Sequence, residues 1–426
     1  MEHLDLRFAS QALIDWSTKG FPSVPAPVEL SDVAAQGWSL FGDLQPPVLI
    51  LRERALRHNV SVMAAFCATH RVDIAPHGKT SMAPQLWARQ LAAGAWGITA
   101  ATVGQAKVMR AVGVRRILLA NELVDPASID WVCEQLSDPA FEFLCYVDSG
   151  RGVSILTEHL RRLRPNRPLR VLVELGHLGG RTGCRDIPEA LRVASEIRDS
   201  ESLELAGVAG YEGTICEGRS PDRLAAVGSF LDQMRTLTVA LIEDGAFDGA
   251  GEIIVTAGGS SYFDLVVDRL QGSWPPGANV RVVLRSGCYL THDSGFYERG
   301  SPFAAEGEAR RFRPAIEVWA SVLSRPEPGL AILGFGKRDV SHDLDLPIPH
   351  TVRAPSGETS HVSGKLSVRA LNDQHAFCDV EPGLSVEVGD LVGCGISHPC
   401  TALDKWRVIP VLDDDGTVIE AVATFF

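Results

Sequence analysis

Eight short apolar runs alternate with amphipathic segments through the first two thirds of this chain. They are Asp73–Pro76, Trp96–Thr102, Arg116–Asn121, Phe141–Val147, Arg170–Leu175, Leu205–Tyr211, Glu252–Ala257 and Val280–Arg285. Strands that are apolar along their whole length are buried on both faces, which happens in parallel sheets covered by helices. The segments between them, such as Ala83–Ala93, Val103–Val112, Ile187–Ile197 and Pro221–Ile242, carry helical spacing. Eight strands in roughly 215 residues predict a (β/α)8 TIM barrel over residues 46–287. An open dinucleotide-binding sheet would need a G-x-G-x-x-G after its first strand, and the sequence has none there.

After Gly287 the rhythm changes to short alternating segments between Pro, Gly and Asp turns: Ala315–Leu323, Leu330–Phe335, His361–Val368, Ala376–Val380, Leu391–Gly393, Arg407–Leu412 and Val418–Phe426. This predicts a second, mostly antiparallel β domain over residues 288–426. Residues 1–45, Pro-rich from Phe21 to Pro27, read as an irregular lead-in, part of which joins that domain.

A length of 426 residues with 45% hydrophobic and 22% charged side chains is enough for a large globular core. Lys+Arg 40 against Asp+Glu 53 leaves a net charge of −13, which repels phosphate backbones and anionic lipid. Nucleic acid and membrane are therefore not expected as partners. The opening MEHLDLRFASQALIDW mixes acids among its apolar residues and lacks the pattern of a secretory leader, and no apolar run reaches the roughly 20 residues of a membrane span. Nine cysteines, an odd number with no Cys-x-x-Cys pair, suit reduced thiols. A cytoplasmic protein is expected.

In such a barrel the chemistry is carried where strands end. The first run leads into Pro76-His77-Gly78-Lys79-Thr80. An ammonium beside a buried strand end must be paired, exposed or chemically employed, and desolvation favours the neutral, nucleophilic amine. The fifth run leads to Gly179-Gly180-Arg181-Thr182-Gly183, a tight turn with an arginine. The sixth ends in Gly210-Tyr211-Glu212-Gly213. The seventh leads to Ala257-Gly258-Gly259-Ser260-Ser261, where consecutive small residues let N–H groups converge into a phosphate nest. Each motif alone also reads as an ordinary barrel turn.

Taken together, in this order and spacing, they resemble the pyridoxal-phosphate enzymes of the alanine-racemase fold (fold type III), in the D-serine dehydratase/D-threonine aldolase branch. The resemblance runs from about Pro46 to the C-terminus. It implies that Lys79 carries pyridoxal 5'-phosphate and serves catalysis, that Tyr211 lies beside the pyridine ring, that Arg181 lies near the ring substituents, and that Gly258, Gly259 and Ser260 cradle the phosphate. His77 fits a packing role at least as well as a chemical one.

Near the C-terminus stands Ser397-His398-Pro399-Cys400-Thr401. In an extended segment residues i and i+2 share a side, so His398 and Cys400 can present an imidazole and a thiolate to one ion. The resemblance implies a divalent metal at this pair. The aldolases would carry a carboxylate at the cysteine position, and the thiolate resembles the zinc-using dehydratases. Tyr289 and Asp293, after the eighth run, fit either the substrate pocket or an interdomain hinge. Asp339, Asp343 and Asp345 with His342 read as a solvated acidic loop.

The implied activity is removal of water and ammonia from a D-3-hydroxyamino acid, D-serine first, giving a 2-oxo acid, a carbon-oxygen lyase reaction on a small-molecule substrate. Retro-aldol cleavage of D-threonine-type substrates and racemisation are the alternatives. A small cofactor carrier built on the same barrel would lack residues 288–426. A homodimer is implied by the resemblance alone.

Overall fold

The computed structural model describes residues 4–249 and 251–426. Eight parallel strands, β1 (Asp73–Ile74), β2 (Ile98–Ala100), β3 (Arg116–Glu122), β4 (Glu142–Val147), β5 (Leu169–Leu175), β6 (Leu203–Gly210), β7 (Ile253–Ala257) and β8 (Val280–Leu284), form one curled sheet. β1 neighbours β8, and each later strand pairs with the one before it from β2 onward. The β1–β2 seam is closed by a parallel bridge between His77 and Thr99 and by N–H bonds from Trp96 to Ile74 O (2.8 Å) and Thr99 to Pro76 O (2.9 Å). All eight expected strands are therefore present.

The two-residue period of a strand explains their continuous apolar character. Leu118, Leu144, Leu172, Ile254 and Val283 fill the barrel interior, while Ile117, Leu119, Phe143, Val171 and Val255 pack beneath the helices. Carrying the inner register forward from those residues reaches Glu122, Tyr146, Glu174, Thr256 and Arg285. Polar side chains thus collect at the barrel mouth by register alone. Helix Glu53–His70 precedes β1, and its Met63, Phe66 and Cys67 join the outer core.

The second sheet has ten strands, almost all antiparallel, and differs from the sequence expectation in three ways. Val48–Arg52, expected at the start of the barrel, pairs antiparallel with Ile316–Glu327 and parallel with Val408–Leu412. It is buried on both faces like a barrel strand, so its composition does not reveal which sheet it joins. Strand Ile348–Arg353 was not expected, because Pro349 and the bulge after it interrupt the alternation. The single run expected over His361–Val368 divides into Thr359–His361 and Leu366–Leu371, turning at Gly364 with φ +79°. The lead-in is partly ordered into this domain: Leu13–Ile14 pairs with Val28–Glu29, and Phe21, Leu30, Trp38 and Leu40 pack with Trp319 and Val418. Among the described residues no helix is long and apolar enough to cross a membrane.

Asn59, fully buried on helix Glu53–His70, ties the barrel to the domain junction. Its amide donates to Leu290 O (3.0 Å) and Arg313 O (2.8 Å), and its carbonyl accepts from Arg313 N (2.8 Å). Asn59→Leu would leave one buried and two partly buried backbone groups unpaired and should cost about 3 kcal/mol. Urea denaturation of the two proteins measures it, and an unchanged midpoint would show that the bracket contributes nothing.

Candidate active site

A cavity of about 300 Å³ opens at the C-terminal mouth of the barrel, lined by strand ends on one side and by the β domain's turn at His398 and Cys400 on the other. Lys79 enters it from the single helical turn Gly78–Thr80 directly after β1. That segment lies hard against the end of β8. A Cβ on Gly287 would meet His77 O at 2.6 Å and Thr80 Oγ1 at 2.9 Å, so only glycine permits the approach. His77 also lines the cavity. Burial, with the charge of Lys79 beside it, holds its pKa far below the usual range, and its buried Nδ1 has no partner among the described residues, so the imidazole is neutral.

Tyr211 and Arg181 face each other on the wall, with the guanidinium 4.9 Å from the ring centroid. Burial pushes the Tyr211 phenol up to about 12, so it stays protonated. Arg285, 6% exposed, is fixed by bonds to Thr256 Oγ1 (2.8 Å) and Gly210 O (2.6 Å).

The turn after β7 differs in detail from the expected phosphate nest. Glu212, fully buried, accepts the N–H groups of Gly258 (3.1 Å) and Gly259 (2.6 Å) with its carboxylate. Those two donors are thus engaged within the chain. The N–H groups of Ser260 and Ser261 have no acceptor among the described residues, and both serines line a second cavity of about 190 Å³ that shares Tyr211, Gly259 and Ser260 with the first. Ser286 Oγ braces the turn by donating to Gly258 O (3.2 Å) and Gly259 O (3.0 Å).

His398 and Cys400 both reach the cavity, though not through an extended strand. Pro399 has αR angles, Cys400 opens the short helix Cys400–Leu403, and His398 is left-handed at φ +61°. The His398 ring rests on Asp343 (Nδ1 to Oδ2, 2.6 Å), which leaves Nε2 for a ligand. Asp343 is therefore more than part of a solvated loop. Cys400 Sγ lies 3.5 Å from Cys288 Sγ and 3.4 Å from Thr80 Oγ1. The hydrogen bond with Cys288 holds the Cys400 thiol below its usual range, aided by Thr80 and Lys79, and pushes Cys288 up. An acidic thiol and an imidazole with a carboxylate behind it are suitable donors for a zinc-like ion.

Two candidate substrate residues are placed elsewhere. The Tyr289 hydroxyl accepts from Gln90 Nε2 (3.0 Å) and faces a different cavity, between the first helix and the barrel. Asp293, fully buried, accepts N–H bonds from Gly295, Tyr297 and Glu298 on Oδ1 and from His398 on Oδ2 (2.8 Å). It positions the turn that carries His398 and Cys400 and does not line the cavity.

The sequence reading passed over a trio at the mouth. Glu122, Asp148 and Glu174 each offer a ligand atom, all within 4.8 Å of one another. They stand 148 − 122 = 26 and 174 − 148 = 26 residues apart, one per βα unit, a periodicity that could have revealed them. As carboxylates, Glu122 Oε1 and Glu174 Oε2 are buried without a partner. Burial, then the neighbouring Glu174, raises Glu122 to about 8, and the proton it keeps supplies the missing donor between them.

Residues 51–244 match the family model "Alanine racemase, N-terminal domain" and residues 315–412 match "Putative serine dehydratase domain". The chain is 28% identical over 365 residues to a D-threonine aldolase from Arthrobacter sp., covering 85% of each. It is 26% identical over 305 residues to a D-threo-3-hydroxyaspartate dehydratase from Delftia sp. (strain HT23), covering 70% of this chain and 73% of that one. The crystal structure of D-threonine aldolase from Filomicrobium marinum superposes with a TM-score of 0.74 at 25% identity, over 91% of this chain and 97% of that one. The fold also matches, at a TM-score of 0.72, a cysteine-to-alanine variant of a D-threo-3-hydroxyaspartate dehydratase in a metal-free form.

Two outcomes follow from this geometry. Gly259→Asp would place a Cβ 3.2 Å from the Tyr211 ring and a second carboxylate beside Glu212, so the folded variant should lose bound pyridoxal phosphate. Retention of full visible absorbance would place the anion elsewhere. Glu122 binds a proton in the folded state that it releases when unfolded above its ordinary value near 4.5. Its stability contribution is present below that value and is lost as pH rises through about 8. Glu122→Gln should therefore lose less stability than the parent between pH 6 and pH 9 in urea titrations, and parallel losses would exclude the shared proton. The matched domains, the fold and the arrangement around Lys79 agree: the chain belongs to the alanine-racemase-fold (fold type III) pyridoxal-phosphate enzymes, in the D-serine dehydratase/D-threonine aldolase family.

Proposed function

We propose that the protein is a pyridoxal-phosphate- and metal-dependent lyase that dehydrates D-3-hydroxyamino acids, with D-serine as first substrate, to a 2-oxo acid and ammonia. The observation that carries this is the convergence on one cavity of Lys79 from the barrel and the His398/Cys400 pair from the β domain. The residues fit the cofactor: an amine at Lys79, an aromatic wall at Tyr211, and unengaged N–H donors at Ser260 and Ser261. They also fit an ion, probed best as zinc, through the Cys400 thiol and the His398 imidazole.

When bound, pyridoxal phosphate supplies an electron sink for the α-carbon, and the ion supplies a Lewis acid for the β-hydroxyl. Lys79 would hold the cofactor through its Nζ, and the same amine, when free, would be the base placed to take a proton from the substrate α-carbon. Arg181, with no side-chain hydrogen bond or ion pair among the described residues, is available to the cofactor's ring substituents. The protonated Tyr211 and the neutral His77 donate and accept at the wall. Asp343 and Asp293 hold the imidazole and the backbone of His398.

Cleavage to glycine and an aldehyde is the second reading, favoured by the similarity to the two D-threonine aldolases. Cys400, at a position where the resemblance implies a carboxylate in the aldolases, supports dehydration. The cytoplasm and a homodimer complete the proposal.

The purified protein should absorb in the visible, and borohydride should fix the cofactor on Lys79 by mass spectrometry. Label on another lysine would reject that role. Incubated with D-serine and D-threonine, it should release pyruvate and 2-oxobutyrate. Chelation should abolish both by orders of magnitude, while α-deuterium exchange, which needs only Lys79, continues. Glycine from D-threonine without 2-oxobutyrate would establish the aldolase.

A further inference from the structure

The function proposed above gives Cys400 a role and leaves Cys288 without one. Seven cysteines are buried, and six of them (Cys67, Cys133, Cys145, Cys184, Cys378 and Cys394) belong to apolar clusters, as a small hydrophobe would. Cys288, 5% exposed, belongs to none of those clusters. It lines the polar cavity, as does Cys400, which is only partly buried. The two sulfurs lie 3.5 Å apart, although the residues are 112 positions apart and belong to different domains. Thr80 Oγ1 meets both, at 3.8 Å from Cys288 Sγ and 3.4 Å from Cys400 Sγ. No other two thiols among the described residues are hydrogen-bonded to each other.

Neither backbone is free to carry its thiol away. The segment before Cys288 is pressed against the lysine turn, since a Cβ on Gly287 would meet His77 O and Thr80 Oγ1. On the other side, Asp293 accepts the N–H of His398 (2.8 Å), and Cys400 opens a short helix two residues later. When two thiols are held in contact at an open cavity, a sulfenic acid formed on one is captured by the other before it oxidises further.

We infer that Cys288 and Cys400 form an oxidation site for a hydroperoxide such as hydrogen peroxide, which joins them in a disulfide across the domain seam. The partly exposed Cys400 reacts first: its sulfur bonds to one peroxide oxygen, the O–O bond breaks, and the other oxygen leaves as water with the thiol proton. The Cys288 sulfur then attacks that of Cys400, the S–O bond breaks, and the hydroxyl leaves as a second water with the Cys288 proton. The two thiols lose two electrons and the peroxide gains them. In a reducing compartment such a bond is transient, because free thiols reopen it by exchange. Its consequence for the ion rests on the metal reading of His398 and Cys400: a sulfur in a disulfide is no longer a thiolate ligand, so oxidation and metal retention exclude each other.

The purified holoprotein, stripped of metal by a chelator, is treated with a small excess of hydrogen peroxide, alkylated in denaturant and digested without reductant. Mass spectrometry should find the Cys288 and Cys400 peptides joined, the other seven cysteines alkylated, and the joined pair released by dithiothreitol. Cys400→Ala should leave Cys288 as a free thiol. In Cys288→Ala, dithiothreitol should no longer recover Cys400, which passes on to sulfinic acid. Both residues recovered as free thiols from the unsubstituted protein, Cys400 overoxidised beside an intact Cys288, or a link to any other cysteine overturns the inference. Zinc uptake by the linked protein, measured before and after dithiothreitol, tests the metal reading separately. Uptake should be lost on linkage and regained on reduction. A linked protein that takes up zinc unchanged overturns the metal pair and leaves the oxidation site standing.

Discussion

Asp293 accepts three N–H groups of its own loop on one oxygen and the N–H of His398 on the other, without exposure to solvent. Removing a carboxylate from water costs several kcal/mol, which charge-assisted bonds of about 1.5–3 kcal/mol each can offset only when several converge. Four converge here, and they join the residues after β8 to the turn that carries His398 and Cys400. Everything in the cavity depends on that junction, because Lys79 belongs to one domain and the thiol to the other.

Three further contacts tighten the same seam. Gly287 lets the end of β8 touch the lysine segment, Thr80 meets the sulfurs of both Cys288 and Cys400, and Phe425 N donates to Met82 O (2.9 Å), which stitches the C-terminus to the turn after Lys79. The cavity is thus built by short contacts across the seam rather than by either core alone.

The barrel was legible because its inner and outer registers are both apolar, so periodicity and length suffice to identify its strands. The same property concealed Val48–Arg52, since local sequence records burial but not the partner that provides it. At the site, Lys79, Tyr211 and Ser260, read from strand ends, and His398 and Cys400, read from their i, i+2 spacing, all line the one cavity. Strand-end reading did not foresee the side chains, distant in sequence, that meet these segments. Glu212 takes the Gly258 and Gly259 donors, and Gln90 turns Tyr289 toward another cavity. Cys288 and the acidic trio went unseen because each is a single ordinary residue until the fold places it beside its neighbours.

Chemistry at a β-hydroxyl requires control over several protons, and the cavity sorts its groups by proton affinity. Burial beside Lys79 keeps His77 unprotonated, while burial beside Glu174 keeps a proton on Glu122 to about pH 8 and burial keeps one on Tyr211 to about pH 12. At neutral pH the cavity wall therefore contains a phenol as donor and an imidazole as acceptor, with the Glu122 proton shared with Glu174 beside them, each held in one state by its surroundings. The chain's net charge of −13 would oppose an anionic substrate. Lys79, Arg181 and Arg285 meet at this mouth, and Arg181 is unpaired among the described residues, so the local field there favours a carboxylate. The proton that Glu122 keeps removes one negative charge beside them, which favours that field where the substrate enters.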